Sequence, residues 1–321
     1  MGSSIVAGHL MHSDLTMGAR GGTELLAGRL IDSVNPGLLE GVEIHLSRVN
    51  EQRDNLSQIL WCHDLATDPA VQHLKNGGWK KYDLLIFVSH WQQYAYNAYL
   101  GVPFEKGTVI QNAITPFDTS VADPKNKPND KIRLVYFSTP HRGLDILAAA
   151  FDVLGKEYGD KVELNVFSSF DLYGWSERDK PYADLFKRLE DMPNVNYSKS
   201  VDNDTIRKEL ARSHIFAYPS TWAETSCLCL IEAMCAGLTA VHSSLGALPE
   251  TSMGLTNGMY GYKETPGIHA SQFYNVLRGA IESHLQGGVD NSALATIANR
   301  KYGMVPWKFH WERVLSEITH K

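Results

Sequence analysis

Between Pro219 and Gly237 (PSTWAETSCLCLIEAMCAG) two carboxylates, Glu224 and Glu232, stand eight residues apart. The first falls in a loop after the apolar run Ile215–Tyr218. The second is surrounded by Leu228, Cys229, Leu230, Ile231, Ala233, Met234 and Cys235, so a helix over Cys227–Ala236 is apolar on every face and must be buried. A buried glutamate is rare unless paired or liganded. One partner for Glu232 is a structural Arg or Lys. The other is a cis-diol such as a ribose, whose two hydroxyls a carboxylate accepts, as an acidic residue does in dinucleotide-binding folds. Glu224 would then face a second hydroxyl-rich group. The N–H groups of Ser226, Cys227 and Leu228 at the helix start favour a phosphate between them. Diol, phosphate and polyol together describe a sugar nucleotide.

Other residues could add to this chemistry. The glycine-rich stretch Gly18 to Thr23, with Gly21 and Gly22, lets backbone approach a phosphate or an acceptor, and a plain tight turn would look the same. His63, in Trp61-Cys62-His63-Asp64, lies just past a strand end, where doubly wound sheets bind ligands; a hydrogen-bonded structural histidine is the plainer alternative. Asp64 could cap the next helix. Asp202-Asn203-Asp204 has the D-x-D form of a metal site, yet it precedes Ile206–Leu210 as a cap would; capping is the better reading, and no metal is required. The aromatic Trp91–Tyr99 could stack bases, but its helical spacing favours core packing or an acceptor wall.

The elements that must position these residues alternate. Ile5–Leu10, Val42–Leu46, Ile59–Cys62, Leu84–Ser89 and Thr108–Gln111 read as strands, with helices over Glu24–Ser33 and Trp91–Leu100. Thr115 to Asp130 holds three prolines and no apolar period, the signature of an exposed linker. The alternation then restarts with strands over Ile132–Phe137, Val162–Phe167, Val195–Tyr197, Ile215–Tyr218 and Thr239–His242. Helices are expected over Leu144–Glu157, Tyr182–Leu189, Thr205–Arg212 and Cys227–Ala236. Ile268–Leu285, Asn291–Tyr302 and Trp307–Thr319 read as helices with no strand after them. The expected architecture is α/β, with two doubly wound parallel units (1–114 and 131–304), a linker at 115–130 and a ligand at the carboxyl ends of the strands.

Composition narrows the class. The chain has 321 residues, room for two domains, and its 30 Lys+Arg against 36 Asp+Glu give a net charge of −6. With 43% hydrophobic and 21% charged residues it is an ordinary globular composition, not a disordered one. No broad basic field is present to hold nucleic acid non-specifically. Cys227, Cys229 and Cys235 crowd one apolar segment and Cys62 another, as small core residues rather than disulfides or a zinc site. No stretch suits a membrane span or a signal peptide, so the expected location is cytoplasmic, soluble or peripheral at a membrane.

Pro-Ser, Glu224, seven residues, Glu232-Ala-Met and Gly237 resemble the E-x7-E signature of retaining GT-B glycosyltransferases, most closely glycosyltransferase family 4. Gly21-Gly22-Thr23-Glu24, Gln111-Asn112-Ala113, Arg142-Gly143-Leu144 and Gly246-Ala247-Leu248-Pro249-Glu250 match in the family's order. The resemblance spans nearly the whole chain, and WKFHWERVLSEI (Trp307–Ile318) is similar to the terminal helix that crosses back onto the first domain. It implies two Rossmann-like domains facing a cleft, with the C-terminal helix 305–321 packing back on the first, a nucleoside-diphosphate sugar donor, and a glycan, lipid-linked or other hydroxyl-bearing acceptor.

The same resemblance implies roles: Glu232 on the ribose, Glu224 with Thr225, Ser226, Cys227 and Leu228 on the donor sugar and phosphates, Arg142 on the diphosphate, and His63 beside the reacting carbon. Gly21, Gly22, Ser138, His141 and Lys199 complete the implied donor site. The family often has a second basic residue where this chain has Phe137, and His141, Lys199 or Arg20 would have to supply that charge. The implied chemistry is front-face transfer with retention and no metal or other cofactor. The competing readings are a sugar-nucleotide hydrolase or epimerase and a non-catalytic glycan-binding protein. A dinucleotide oxidoreductase is excluded by the absence of G-x-G-x-x-G after any strand.

Overall fold

The structure, a computed structural model, describes residues 3–11, 21–48 and 52–319. The chain forms two compact units: Met1–Thr115 with Glu224–Ser226 and Tyr302–Lys321, and Pro116–Ala223 with Cys227–Lys301.

Among the described residues of the first unit six strands, β1 (Ser3–Val6), β2 (His9–Met11), β3 (Val42–Leu46), β4 (Ser57–Cys62), β5 (Leu84–Phe87) and β6 (Gly107–Val109), lie in the order β2-β1-β3-β4-β5-β6. From β3 to β6 the pairing is parallel. The single strand expected over Ile5–Leu10 is instead a hairpin. Ala7 (φ 47°) and Gly8 (φ 75°) turn the chain, Val6 faces His9, and β1 runs antiparallel to β3. Two consecutive positive φ values are what a two-residue hairpin turn demands, and a plain apolar run concealed it.

The centre of this sheet is dry: Ile59, Leu60, Trp61 and Cys62 on β4 are completely buried. Leu26, Ala27 and Leu30 form the buried stripe of α1 (Gly22–Ser33). Ser89 caps α2 (His90–Leu100) by accepting from the Gln92 N–H, and Gly101, in the left-handed region at φ 69°, ends it. Of the aromatic run expected to serve as core or as an acceptor wall, Tyr96 is buried while Tyr94 and Tyr99 are exposed. The helix Met304–Thr319 also belongs to this unit, where Trp311 packs edge-on against Trp61 with ring centroids 4.7 Å apart.

The second unit holds β7 (Ile132–Phe137), β8 (Val162–Phe167), β9 (Val195–Ser198), β10 (Ile215–Tyr218), β11 (Thr239–Ser243) and β12 (Gly258–Tyr260). They form one parallel sheet in the order β12-β11-β10-β7-β8-β9. Its helices are α3 (Leu144–Tyr158), α4 (Ala183–Asp191), α5 (Asn203–Arg212), α6 (Leu228–Cys235), α7 (Leu248–Thr251), α8 (Pro266–Leu285) and α9 (Ser292–Lys301); Met304–Thr319 is α10. Strand β12, ahead of α8, is an element that the sequence reading did not anticipate, since three residues are too few to show a period of two. Asp202 caps α5, accepting from the Thr205 N–H at 2.8 Å, as its position before the helix suggests.

The stretch expected to be an exposed linker is partly buried. Phe117 and Ala122 are core residues, and Lys127 is 9% exposed. The Lys127 Nζ donates to the carbonyls of Leu210 and Ala211, at the end of α5, and of Ala236, just past α6, at 3.5, 3.4 and 3.2 Å. A cation is favoured at such helix C-termini, where carbonyls lack intrahelical partners. Prolines and polar residues disguise this anchoring as solvent-exposed chain.

Candidate functional site

In the second unit β7 ends at Phe137, and Ser138 and Thr139 lead into a single 3-10 turn, Pro140–Arg142, before α3. Gly143 joins the two at φ 92°, and a Cβ there would stand 2.1 Å from the Pro219 carbonyl oxygen. No other residue type fits without shifting backbone. The turn carrying His141 and Arg142 is thereby set against Pro219-Ser220, just past β10. Tyr136 Oη donates to the Thr139 carbonyl at 2.7 Å, and Thr221 Oγ1 to that of His141 at 3.4 Å.

Helix α6 lies beside this turn: Cys229 Sγ donates to the Phe137 carbonyl at 3.0 Å. The Cys229 thiol is pushed up well above its ordinary pKa by its hydrogen bond with Cys227 and by burial; the Glu232 charge acts in the same direction and the Arg142 charge against it. Both ionic groups therefore act on one thiol. Glu232 is 6% exposed, buried with Leu230, Ile231, Ala233, Met234 and Cys235 as the pattern predicts. The N-cap of α6 is Cys227, which makes no capping hydrogen bond to the first amides. Such an uncapped start is a ready anion site.

His141 stacks on Phe170 at 5.3 Å and meets Trp222 edge-on at 5.1 Å. Burial first, then the Arg142 and Arg178 charges, hold its pKa down to about 4. At neutral pH it therefore offers a neutral ring and not the second cation. Lys199 is exposed just past β9, and Arg20 lies outside the described residues.

In the first unit Gly21 is the N-cap of α1 and Gly22 its first residue. The histidine past β4 is firmly held: the His63 N–H donates to Ser47 Oγ at 2.7 Å, and Thr225 Oγ1 donates to its carbonyl at 2.8 Å. The His63 ring lies 4.7 Å from that of Trp61, and burial drives its pKa down to about 3, so it is a neutral imidazole. Its Nε2 is buried without a hydrogen-bond partner. Glu224 is 4% exposed, and Ser89 Oγ donates to the Thr225 carbonyl at 2.6 Å.

Asp64 caps no helix; Asp68 does, accepting from the Ala70 N–H at 2.8 Å. Burial, foremost, raises the Asp64 pKa. Sequence reasoning missed Gln92, which is completely buried. Its Oε1 accepts from the Val88 N–H and its Nε2 donates to the Asp64 carbonyl, both at 2.9 Å, pinning the loop that carries His63. The available signal was Ser89-His-Trp-Gln92, a capping-box pattern. Here the glutamine side chain turns inward instead of closing the box.

Residues 132–275 match the family model described as Glycosyl transferases group 1. One of the subunits of human phosphatidylinositol N-acetylglucosaminyltransferase is 28% identical over 145 residues, which make up 44% of this chain and 28% of that protein. The sucrose-phosphate synthase of Thermosynechococcus elongatus superimposes with a TM-score of 0.65 at 13% identity, covering 84% of this chain and 69% of that one. HepE from Anabaena, solved in complex with UDP-glucose, does so with a TM-score of 0.61 at 20% identity, covering 82% and 72%. The stretch that matches the family model lies in the second unit, and the fold is that of the GT-B glycosyltransferases.

Proposed function

We propose that this chain transfers a sugar from a nucleoside-diphosphate sugar to an acceptor hydroxyl, with retention at the anomeric carbon and without a metal ion. The observation that carries this is the buried Glu232 on an uncapped helix, beside the Gly143-locked turn of Arg142, within the segment that matches the family. Glu232 accepts the two ribose hydroxyls. Arg142 and the α6 amides of Cys227 and Leu228 hold the diphosphate, with Ser138 and the neutral His141 at its edge and Lys199 as a further cation. Glu224, Thr225 and Ser226 face the donor sugar, His63 borders the reacting carbon, and Gly21 and Gly22 give the α1 start close backbone approach.

In the reaction the bond from the anomeric carbon to the diphosphate oxygen breaks and the oxygen keeps the electron pair. That oxygen takes the acceptor hydroxyl proton, and the hydroxyl attacks from the face just vacated. Such a route rests on stabilising the leaving charge, which falls to Arg142 and the helix amides, worth a few kcal/mol each in a water-poor site. UDP-glucose, the ligand of the HepE structure, makes UDP-sugars the first donors to try, before GDP- and ADP-sugars.

The test is release of nucleoside diphosphate with and without candidate acceptors, followed by NMR of the product's anomeric configuration in buffer with chelator. Release that requires acceptor, with a retained product in chelator, supports the proposal. Release without acceptor means hydrolysis, and binding of donors with no release means a glycan-binding protein. An inverted product, or activity lost to EDTA and restored by manganese, overturns the mechanism.

A further inference from the structure

Six residues that the proposed transfer does not use gather at one end of the first unit. The chain enters β5 from the Pro69–Lys81 segment and β6 from the Phe104–Lys106 turn, so both approaches lie at the amino-terminal end of the sheet. Helix α2 leaves the carboxyl end of β5 and runs back, bringing its last turn, with Tyr99, to that same end. Lys80, Lys81, Tyr99 and Phe104 are exposed, the two rings by 63% and 49%. Trp79 packs on the core cluster that contains Leu100 and Val102, and the Lys80 and Lys106 Nζ atoms stand 5.6 and 5.9 Å from its ring centre. Two carboxylates lie in or next to these segments. Asp83 accepts from the Gln58 N–H at 2.7 Å, and Glu105 is exposed between Phe104 and Lys106.

We propose that this end of the first unit docks on an anionic lipid bilayer. Tyr99, Phe104 and Trp79 enter the headgroup layer, and Lys80, Lys81 and Lys106 meet lipid phosphates. Exposed rings of this kind are costly in water, and an aromatic with an apolar body and a polar tip is most at home at a membrane interface. Lysine stems lie along apolar surface while their heads reach outward, and clustered lysines are drawn to an anionic leaflet. In a chain of net charge −6, Lys80 and Lys106 stand over the Trp79 ring and Lys81 follows Lys80 in the chain, so that cations outnumber the two carboxylates, Asp83 and Glu105, at this end. A nucleic acid would call instead for charge strung along a groove that tracks its backbone.

The full chain is sedimented with phosphatidylcholine vesicles, plain or doped with phosphatidylserine, and with single-stranded RNA as a competitor. The doped vesicles are expected to retain the chain at least about tenfold better than plain ones. The triple variant Lys80→Glu, Lys81→Glu, Lys106→Glu should lose that preference, and Tyr99→Ser with Phe104→Ser should weaken binding to doped vesicles about tenfold. Circular dichroism should remain that of the native chain for both variants. If the lysine variant misfolds, Lys→Gln at the same positions gives the same reading. No preference for doped vesicles, full binding by the lysine variant, or displacement by RNA at lower concentration than by lipid each overturns the proposal. Sedimentation does not depend on turnover, so this proposal and the sugar-transfer reading fail separately.

Discussion

Gly143 and Pro219 touch backbone to backbone: the glycine sits at φ 92°, and the position of its missing Cβ is 2.1 Å from the proline carbonyl oxygen. That contact sets the Arg142 turn against the end of β10. Gly143→Ala should destabilise the chain by about 2–4 kcal/mol, from a strained conformation plus a backbone clash. Urea unfolding checks this, and nucleoside-diphosphate affinity should fall with it because the turn moves. An alanine variant of native stability would show that the turn relaxes freely.

Glu232→Gln should leave the fold intact, because the amide keeps the size of the carboxyl group. Donor binding by calorimetry should weaken by about 1–3 kcal/mol, the range for a hydrogen bond to a charged group. Unchanged affinity would remove Glu232 from the ribose.

Arg142→Ala should reduce turnover more than it weakens binding of the free nucleoside diphosphate, because the charge it meets grows as the sugar bond breaks. Steady-state kinetics set against calorimetry separate the two. Equal losses would leave Arg142 as a phosphate anchor and no more.

His242 is completely buried, with Nδ1 donating to the Ser243 carbonyl at 2.9 Å and Nε2 2.7 Å from Thr256 Oγ1. Burial holds its pKa down to about 4, against 6.5 for the free ring. The unfolded chain therefore takes up this proton first as pH falls. Its contribution to stability is complete above pH 6.5 and is lost on the way down to about pH 4, at roughly 1.4 kcal/mol per pH unit. In His242→Gln, urea unfolding across that window should show a shallower slope by this amount. An unaltered slope would mean that the ring is charged in the folded chain.

Lys127 behaves similarly at the alkaline end. Burial pushes its pKa down to about 8 from 10.5, so the folded state sheds the proton before the unfolded one. Stability from this group accordingly rises from pH 8 to pH 10.5. Lys127→Met should abolish that rise. At neutral pH it should cost about 1–3 kcal/mol, since the helix-end carbonyls lose their donor. Urea midpoints at pH 7 and pH 10 decide it.

What the sequence determined by itself is what local periodicity and chemistry can encode. The strands Ile132–Phe137, Val162–Phe167 and Ile215–Tyr218 have the bounds that their apolar runs predict. Glu232 had to be buried because every neighbour on its helix is apolar, and Asp202 had to cap because a helix follows it. Tertiary structure decided the rest, through partners far away along the chain. Gln92 reaches the Asp64 carbonyl 28 residues back, and Lys127 reaches the Ala236 carbonyl 109 residues on. The hairpin at Ala7-Gly8 depended on two positive φ values in a run that reads as one strand, and the neutral state of His63 on the burial around it. A residue's type and spacing fix which face it presents. Which distant carbonyl, ring or charge meets that face depends on how the elements pack, and that is written in no local period.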